Sequence, residues 1–172
     1  WLEEPPANVW TAIGTSDNPF YGTFDGNGYD IENLSIDSTS QYTGLFGYIH
    51  DATIKNVNLI NANVTSTAEY TGALVGWAQN YCTIVNVYTS GSVVGNNHTG
   101  GLVGAVWATD AIISSCQVES TVTGNEYAGV QHAEYQVFHL PVARRTDRSV
   151  GESVCSGQCL VCGGSAVCGQ CE

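Results

Sequence analysis

The chain has 172 residues, 43% hydrophobic and only 12% charged, which is enough apolar material for one domain with a core and argues against disorder. Sixteen acidic residues against four basic ones leave a net charge of -12, a surface that repels phosphate backbones, so no nucleic-acid partner is expected. No run of 18 or more apolar residues occurs, so no membrane span is expected either.

The chain opens on Trp1-Leu2-Glu3-Glu4 without Met, as an excised or processed fragment would. From Trp10 to Ile36 short apolar stretches alternate with turn residues. Asp25-Gly26-Asn27-Gly28 reads as a turn, because Asp-Gly and Asn-Gly supply positive φ at low cost. The same region offers a rival reading, in which Asp25, Asp30, Asp37 and Asp51 converge in a groove with calcium or as the carboxylates of a carbohydrate-active lyase or hydrolase. Lys55 is the lone basic residue before Arg144, too little to neutralise an acidic sugar, and the turn reading is preferred.

A repeat follows. Tyr42-Thr43-Gly44, Tyr70-Thr71-Gly72 and His98-Thr99-Gly100 each lead into an apolar pair closed by glycine, at Gly47, Gly76 and Gly104; Tyr127-Ala128-Gly129 starts the phrase again and drops it. The starts near 42, 70, 98 and 127 are spaced by 28, 28 and 29 residues. Behind each start comes an alternating segment with Ile54 and Val57, Ile84 and Val87, or Ile112 and Cys116, and then a short segment around Val64, Val93 or Val122. A period near 28, β-branched residues and Gly/Asn turns without helical spacing predict an all-β solenoid, a parallel β-helix of about four coils, each with three strands and three turns. Gly44, Gly47, Gly72, Gly76, Gly101 and Gly104 serve either as positive-φ corners or as places where coils approach closely. Tyr42, Tyr70, His98 and Tyr127 are expected to stack at one corner. Cys116 falls in the row of Val57 and Val87 and reads as a small buried hydrophobe.

The blocks Gly44-Leu45-Phe46-Gly47, Gly72-Ala73-Leu74-Val75-Gly76 and Gly100-Gly101-Leu102-Val103-Gly104, with the lead-in from Trp10 through Pro19-Phe20 and Gly22-Thr23-Phe24-Asp25-Gly26-Asn27-Gly28 to Ile36, resemble the GLUG-type repeats of bacterial surface and secreted proteins. The resemblance covers about residues 8 to 129. It implies a right-handed β-solenoid module of the kind found in adhesins and in N-terminal regions of immunoglobulin A-cleaving metallopeptidases, where it serves as stalk, spacer or binding surface. The repeat motif brings no catalytic residues with it.

After Gly129 the grammar changes, and residues 130–172 form a non-repeating, Cys-rich tail distinct from the solenoid of 1–129. Cys159, Cys162, Cys168 and Cys171 give two Cys-x-x-Cys pairs that could present four thiolates to zinc; in an oxidising compartment disulfides are the preferred reading. A capping role, a separate domain and a shifted reading frame all stand as accounts of the tail. Three Asn-x-Ser/Thr tripeptides, at Asn33, Asn63 and Asn97, would be glycan acceptors in a secretory pathway. The reading as a whole is a non-catalytic, adhesin-like module outside the cell or on its surface, meeting a protein or carbohydrate or another copy of itself, with no cofactor required. The carbohydrate-active enzyme and the filament subunit are its rivals.

Overall fold

The computed structural model describes residues 10–107 and 110–134, with short strands at 159–161 and 166–168. The first eleven strands form one sheet that winds into a parallel β-solenoid of about four turns, and no helix occurs among the described residues. The first coil holds β1 (Phe20–Asp25), β2 (Asp30–Glu32) and β3 (Ser35–Ser38), and the second holds one long kinked strand, β4 (Phe46–Ser66). The third comprises β5 (Thr71–Gly72), β6 (Val75–Gln79) and β7 (Thr83–Val94), and the fourth β8 (Thr99–Trp107), β9 (Ile112–Ser114) and β10 (Gln117–Thr123). A further strand, β11 (Ala128–Glu134), starts at the broken repeat and still pairs with β8, since backbone pairing needs none of the missing side chains. Separately, β12 (Cys159–Val161) and β13 (Ala166–Cys168) pair antiparallel, with Cys159 opposite Cys168. Cys162, Cys171 and the rest of the expected tail lie outside the described residues.

Every strand pairing in the solenoid is parallel, with a residue partnered 27 to 30 positions on: Ile36 with Val64, Val75 with Val103, Ile54 with Ile84. Like side chains therefore stack in rows, one per coil, at the spacing of about 4.8 Å set by the ladder hydrogen bonds. The interior includes these rows: Phe24, Ile54, Ile84 and Ile113; Val57, Val87 and Cys116; Ile36, Val64, Val93 and Val122. Ile54, Ile84 and Val64 are wholly buried, and each such side chain contributes about 1.5–3 kcal/mol on leaving water. One coil cannot enclose this surface, so the sequence repeats. The first coil is the less buried end, with Ile13, Phe20, Phe24 and Ile31 only partly covered where they pack on the core.

The second coil bends at single residues within one continuous strand, whereas turns separate the strands of the other coils. In β4 the extended stretches 46–50, 52–55, 57–60 and 62–66 are separated by Asp51, Asn56 and Asn61, whose φ values are 48°, 54° and 54°. A left-handed residue reverses the pleat locally and turns the chain without interrupting the ladder. Asparagine tolerates this region because its short amide can bond locally. The Asp25–Gly28 segment is a turn of the same kind: Asn27 and Gly28 carry positive φ, Asp25 Oδ1 accepts from the Asn27 amide at 2.9 Å, and Tyr29 N donates to Gly26 O at 2.9 Å.

The repeat glycines do something else. Gly44, Gly47, Gly72, Gly76, Gly101 and Gly104 have no positive φ, so of the two uses the sequence allowed, close approach is the one found. A Cβ on Gly76 would lie 2.5 Å from the carbonyl carbon of Tyr42, and one on Gly104 would lie 2.6 Å from Gly76 O and 2.8 Å from the carbonyl carbon of Tyr70. The Tyr-Thr-Gly corner of one coil thus sits directly against the second glycine of the next. Gly101 instead makes room for the side chains of Val118 and Val122.

Candidate functional site

The left-handed residue of that tight corner is Tyr42, Tyr70, His98 or Tyr127, with φ of 61°, 65°, 56° and 53°. Behind it Thr43, Thr71 and Thr99 point inward and are buried, and Thr43 Oγ1 and Thr99 Oγ1 donate to the carbonyls of Ser40 and Asn96. With the threonine inside, the preceding aromatic is thrown outward. The four rings then stack along the solenoid: Tyr42 on Tyr70 at 5.4 Å between centroids, Tyr70 on His98 at 4.8 Å, and His98 on Tyr127 at 4.9 Å, all within 30° of parallel.

A second row runs beside it. Tyr48 and Trp77 are register partners on β4 and β6, and their rings stack at 6.2 Å. The register partner of Trp77 on β8 is Ala105, whose small side chain leaves room; Trp107, two residues on, stacks on Trp77 at 6.3 Å and 15°. The rows meet edge to face, Tyr70 against Trp77 at 4.7 Å and 82°, and Tyr42 against Tyr48 at 5.1 Å and 84°. Such contacts are worth about 0.5–1.5 kcal/mol each beyond burial. The Tyr48 hydroxyl donates to Gln79 Oε1. Burial pushes the Tyr48 phenol above its ordinary range, with the Tyr42 phenol adding to it, and burial followed by Glu69 does the same at Tyr70; both stay neutral at physiological pH.

Stacking uses up the ring faces. Outward the rows show ring edges and phenol hydroxyls, and exposure is greatest where they end, at Trp107 (60%) and Tyr127 (59%).

Next to this patch His50 stacks obliquely on Tyr21 at 5.0 Å. Asn80 Nδ2 lies 2.9 Å from His50 Nε2, which makes Nε2 the acceptor and leaves the Nδ1 proton on the side of Asp51 Oδ2, 3.1 Å away. Cys82 stands close by, yet its Sγ donates to Gln79 O, it is 1% exposed, and burial raises its thiol pKa further above neutrality. Cys116 is likewise a buried free thiol with a raised pKa, in the row of Val57 and Val87; the two are not bridged.

The carboxylates of the rival enzymatic reading are held by different partners. Asp25 accepts from Asn56 Nδ2 at 2.8 Å and pairs with Lys55 at 3.2 Å, Asp30 accepts from Asn58 Nδ2 at 2.9 Å, and Asp37 lies exposed on β3. Asp51 belongs to the second coil, beside His50. Among the described residues no group of three or more His, Cys, Asp or Glu is placed to hold a metal ion. For the zinc or disulfide alternatives at Cys159, Cys162, Cys168 and Cys171, the side chains concerned lie outside the described residues.

Sequence inspection missed the Asn ladders. Asn86 Nδ2 donates to Asn56 Oδ1 and Asn56 Nδ2 to Asp25 Oδ1, each at 2.8 Å; Asn61 Nδ2 donates to Asn33 Oδ1 at 2.8 Å. The recurrence of Asn at 33 and 61 and at 56 and 86, near the period of the repeat, was the available signal.

The fold and its surface rows define the chain as a β-solenoid domain. No protein-family model matches it, and no solved structure matches it. Over 120 residues, 69% of this chain, it is 38% identical to part of halomucin from Haloquadratum walsbyi (strain DSM 16790 / HBSQ001). The similarity is partial and distant, because the matched stretch is about 1% of halomucin's length.

Proposed function

We propose that the chain is a non-catalytic structural module of a surface or secreted protein, an adhesin-like stalk or binding segment such as the GLUG-type repeats it resembles. One observation carries the reading: the repeated residues are all spent on architecture. The glycines admit the neighbouring coil, the threonines fill the corner, with Thr43 and Thr99 bonding its carbonyls, and the aromatics stack on one another. The likeness to part of halomucin supports an extracellular setting within a much longer chain. Its partner, a protein or carbohydrate surface, meets the aromatic patch at ring edges and at the Trp107 and Tyr127 end.

Protease treatment of intact source cells tests the location. The module is expected to be cleaved while a cytosolic marker survives; a module that resists until the cells are lysed would overturn the reading.

A further inference from the structure

The three Asn-x-Ser/Thr tripeptides are equivalent in the sequence and unequal in the fold. Asn33 is exposed at the corner after β2, with φ of 55°; its Oδ1 accepts from Asn61, its Nδ2 donates to no described group, and Ser35, two residues on, is exposed. Asn63 is exposed on β4; its Oδ1 accepts from Ser92 Oγ at 3.0 Å, its Nδ2 donates to no described group, and Thr65 is half-buried. Asn97 is different. Its Nδ2 donates to Glu69 Oε1 at 3.2 Å, His98 behind it is stacked between Tyr70 and Tyr127, and Thr99 is wholly buried with its hydroxyl on Asn96 O.

A sugar-transferring enzyme must reach both the amide nitrogen and the hydroxyl residue of the tripeptide. We infer that Asn33 and Asn63 are N-glycan acceptors and that Asn97 is closed to modification, an inference that rests on the extracellular reading. The donor is a lipid-linked oligosaccharide. The Nδ2–C1 bond forms as the C1–O bond to the lipid phosphate or pyrophosphate breaks, the lipid leaves with that oxygen and its electron pair, and one amide proton passes to a base of the transferase. Ser35 is the register partner of Asn63, and Asn61 that partner's neighbour under Asn33, so both glycans would leave from one flank of adjacent coils, at a different corner from the aromatic rows. Asn61, in Asn61-Ala62-Asn63, has no hydroxyl residue two positions on and serves as an internal control.

The test is peptide mass mapping of the full chain recovered from the cells that make it, with electron-driven fragmentation to locate sugar increments. Sugar is expected at Asn33 and Asn63, each increment disappearing in N33Q or N63Q, with none at Asn61 or Asn97. Bare Asn33 and Asn63 on a chain recovered from outside the cell overturn the inference and leave the surface reading standing, and sugar at Asn97 also overturns it. A chain found only inside cells sinks the surface reading instead. The acceptor claim is then decided by offering the purified folded chain to an oligosaccharyltransferase with its lipid-linked donor, where sugar at Asn97, or none at Asn33 and Asn63, refutes it.

Discussion

The aromatic corner and the asparagine corners meet the same backbone demand with opposite means. Both place non-glycine residues at φ near 55–65°, coil after coil. A left-handed conformation costs an ordinary residue about 1–3 kcal/mol when held in place. At Asn56 and Asn61 the cost is small, since the amide suits this region, and the side chain goes on to donate to a side chain of the preceding coil, Asp25 or Asn33. At Tyr42 and Tyr70 nothing local lowers it, and the compensation comes from outside the residue, in ring stacking and in a glycine opposite that lets the corner close. One corner is stable by its own chemistry and the other only as a member of a stack.

The comparison breaks most sharply at the glycine. Gly104→Ala sets a methyl within 3 Å of three backbone atoms that cannot step aside, and is expected to cost about 3 kcal/mol or more in urea unfolding; an unchanged midpoint would mean that the corner is looser than described. Next comes Tyr70, which touches Tyr42, Trp77 and His98. Tyr70→Ala loses three ring contacts and keeps the unfavourable φ, for about 3 kcal/mol, whereas Tyr70→Gly loses the contacts but relaxes the backbone and should be better by about 1 kcal/mol. Equal midpoints for the two would show that the left-handed strain is not real.

Asn56→Ala removes one link to Asp25 and one from Asn86, and should cost about 1.5 kcal/mol, measured by thermal melting. The smallest effect is at Asp25. Its carboxyl lies below the usual range, chiefly through the Asn56 amide and then the Asn27 backbone N–H. Its folded-state value is therefore lower than its unfolded one, so the stability it lends is present above the unfolded carboxylate pKa and fades as pH falls through the folded value. An acid titration of Asp25→Asn should show a shallower loss below about pH 4 than the parent, and parallel curves would remove Asp25 from the account.

The solenoid was legible because its physics is periodic. Glycine pairs, alternating Ile and Val, and a 28-residue spacing must recur if rows are to stack, so the rows of Ile84 and Val93 could be read off directly. The turn at Asp25–Gly28 was legible because its residue types have few other uses. Three strands per coil hold in the first, third and fourth coils, and the unbroken second coil was not legible because a single left-handed Asp or Asn bends a strand with no loop to mark it. The left-handed tyrosines were hidden for a related reason: Tyr is a good strand former and a poor corner residue, and only the buried Thr and the glycine beyond make it one. The shift of Trp107 across Ala105 was out of reach, since it depends on register as well as pattern. So was the distinction among Asn33, Asn63 and Asn97, which lies in burial that the tripeptide does not encode.

The partnering of each strand residue with one 27 to 30 positions away also governs how such a chain can change length. Deleting one residue of an extended stretch, such as Asn58, would turn the following side chains of that coil inside out, bringing Asn63 toward the core and Val64 toward water. Deleting or duplicating a whole coil only shortens or lengthens each row by one member. The natural unit of inheritance here is the rung, and a gene encoding this fold grows or shrinks in steps of about thirty codons.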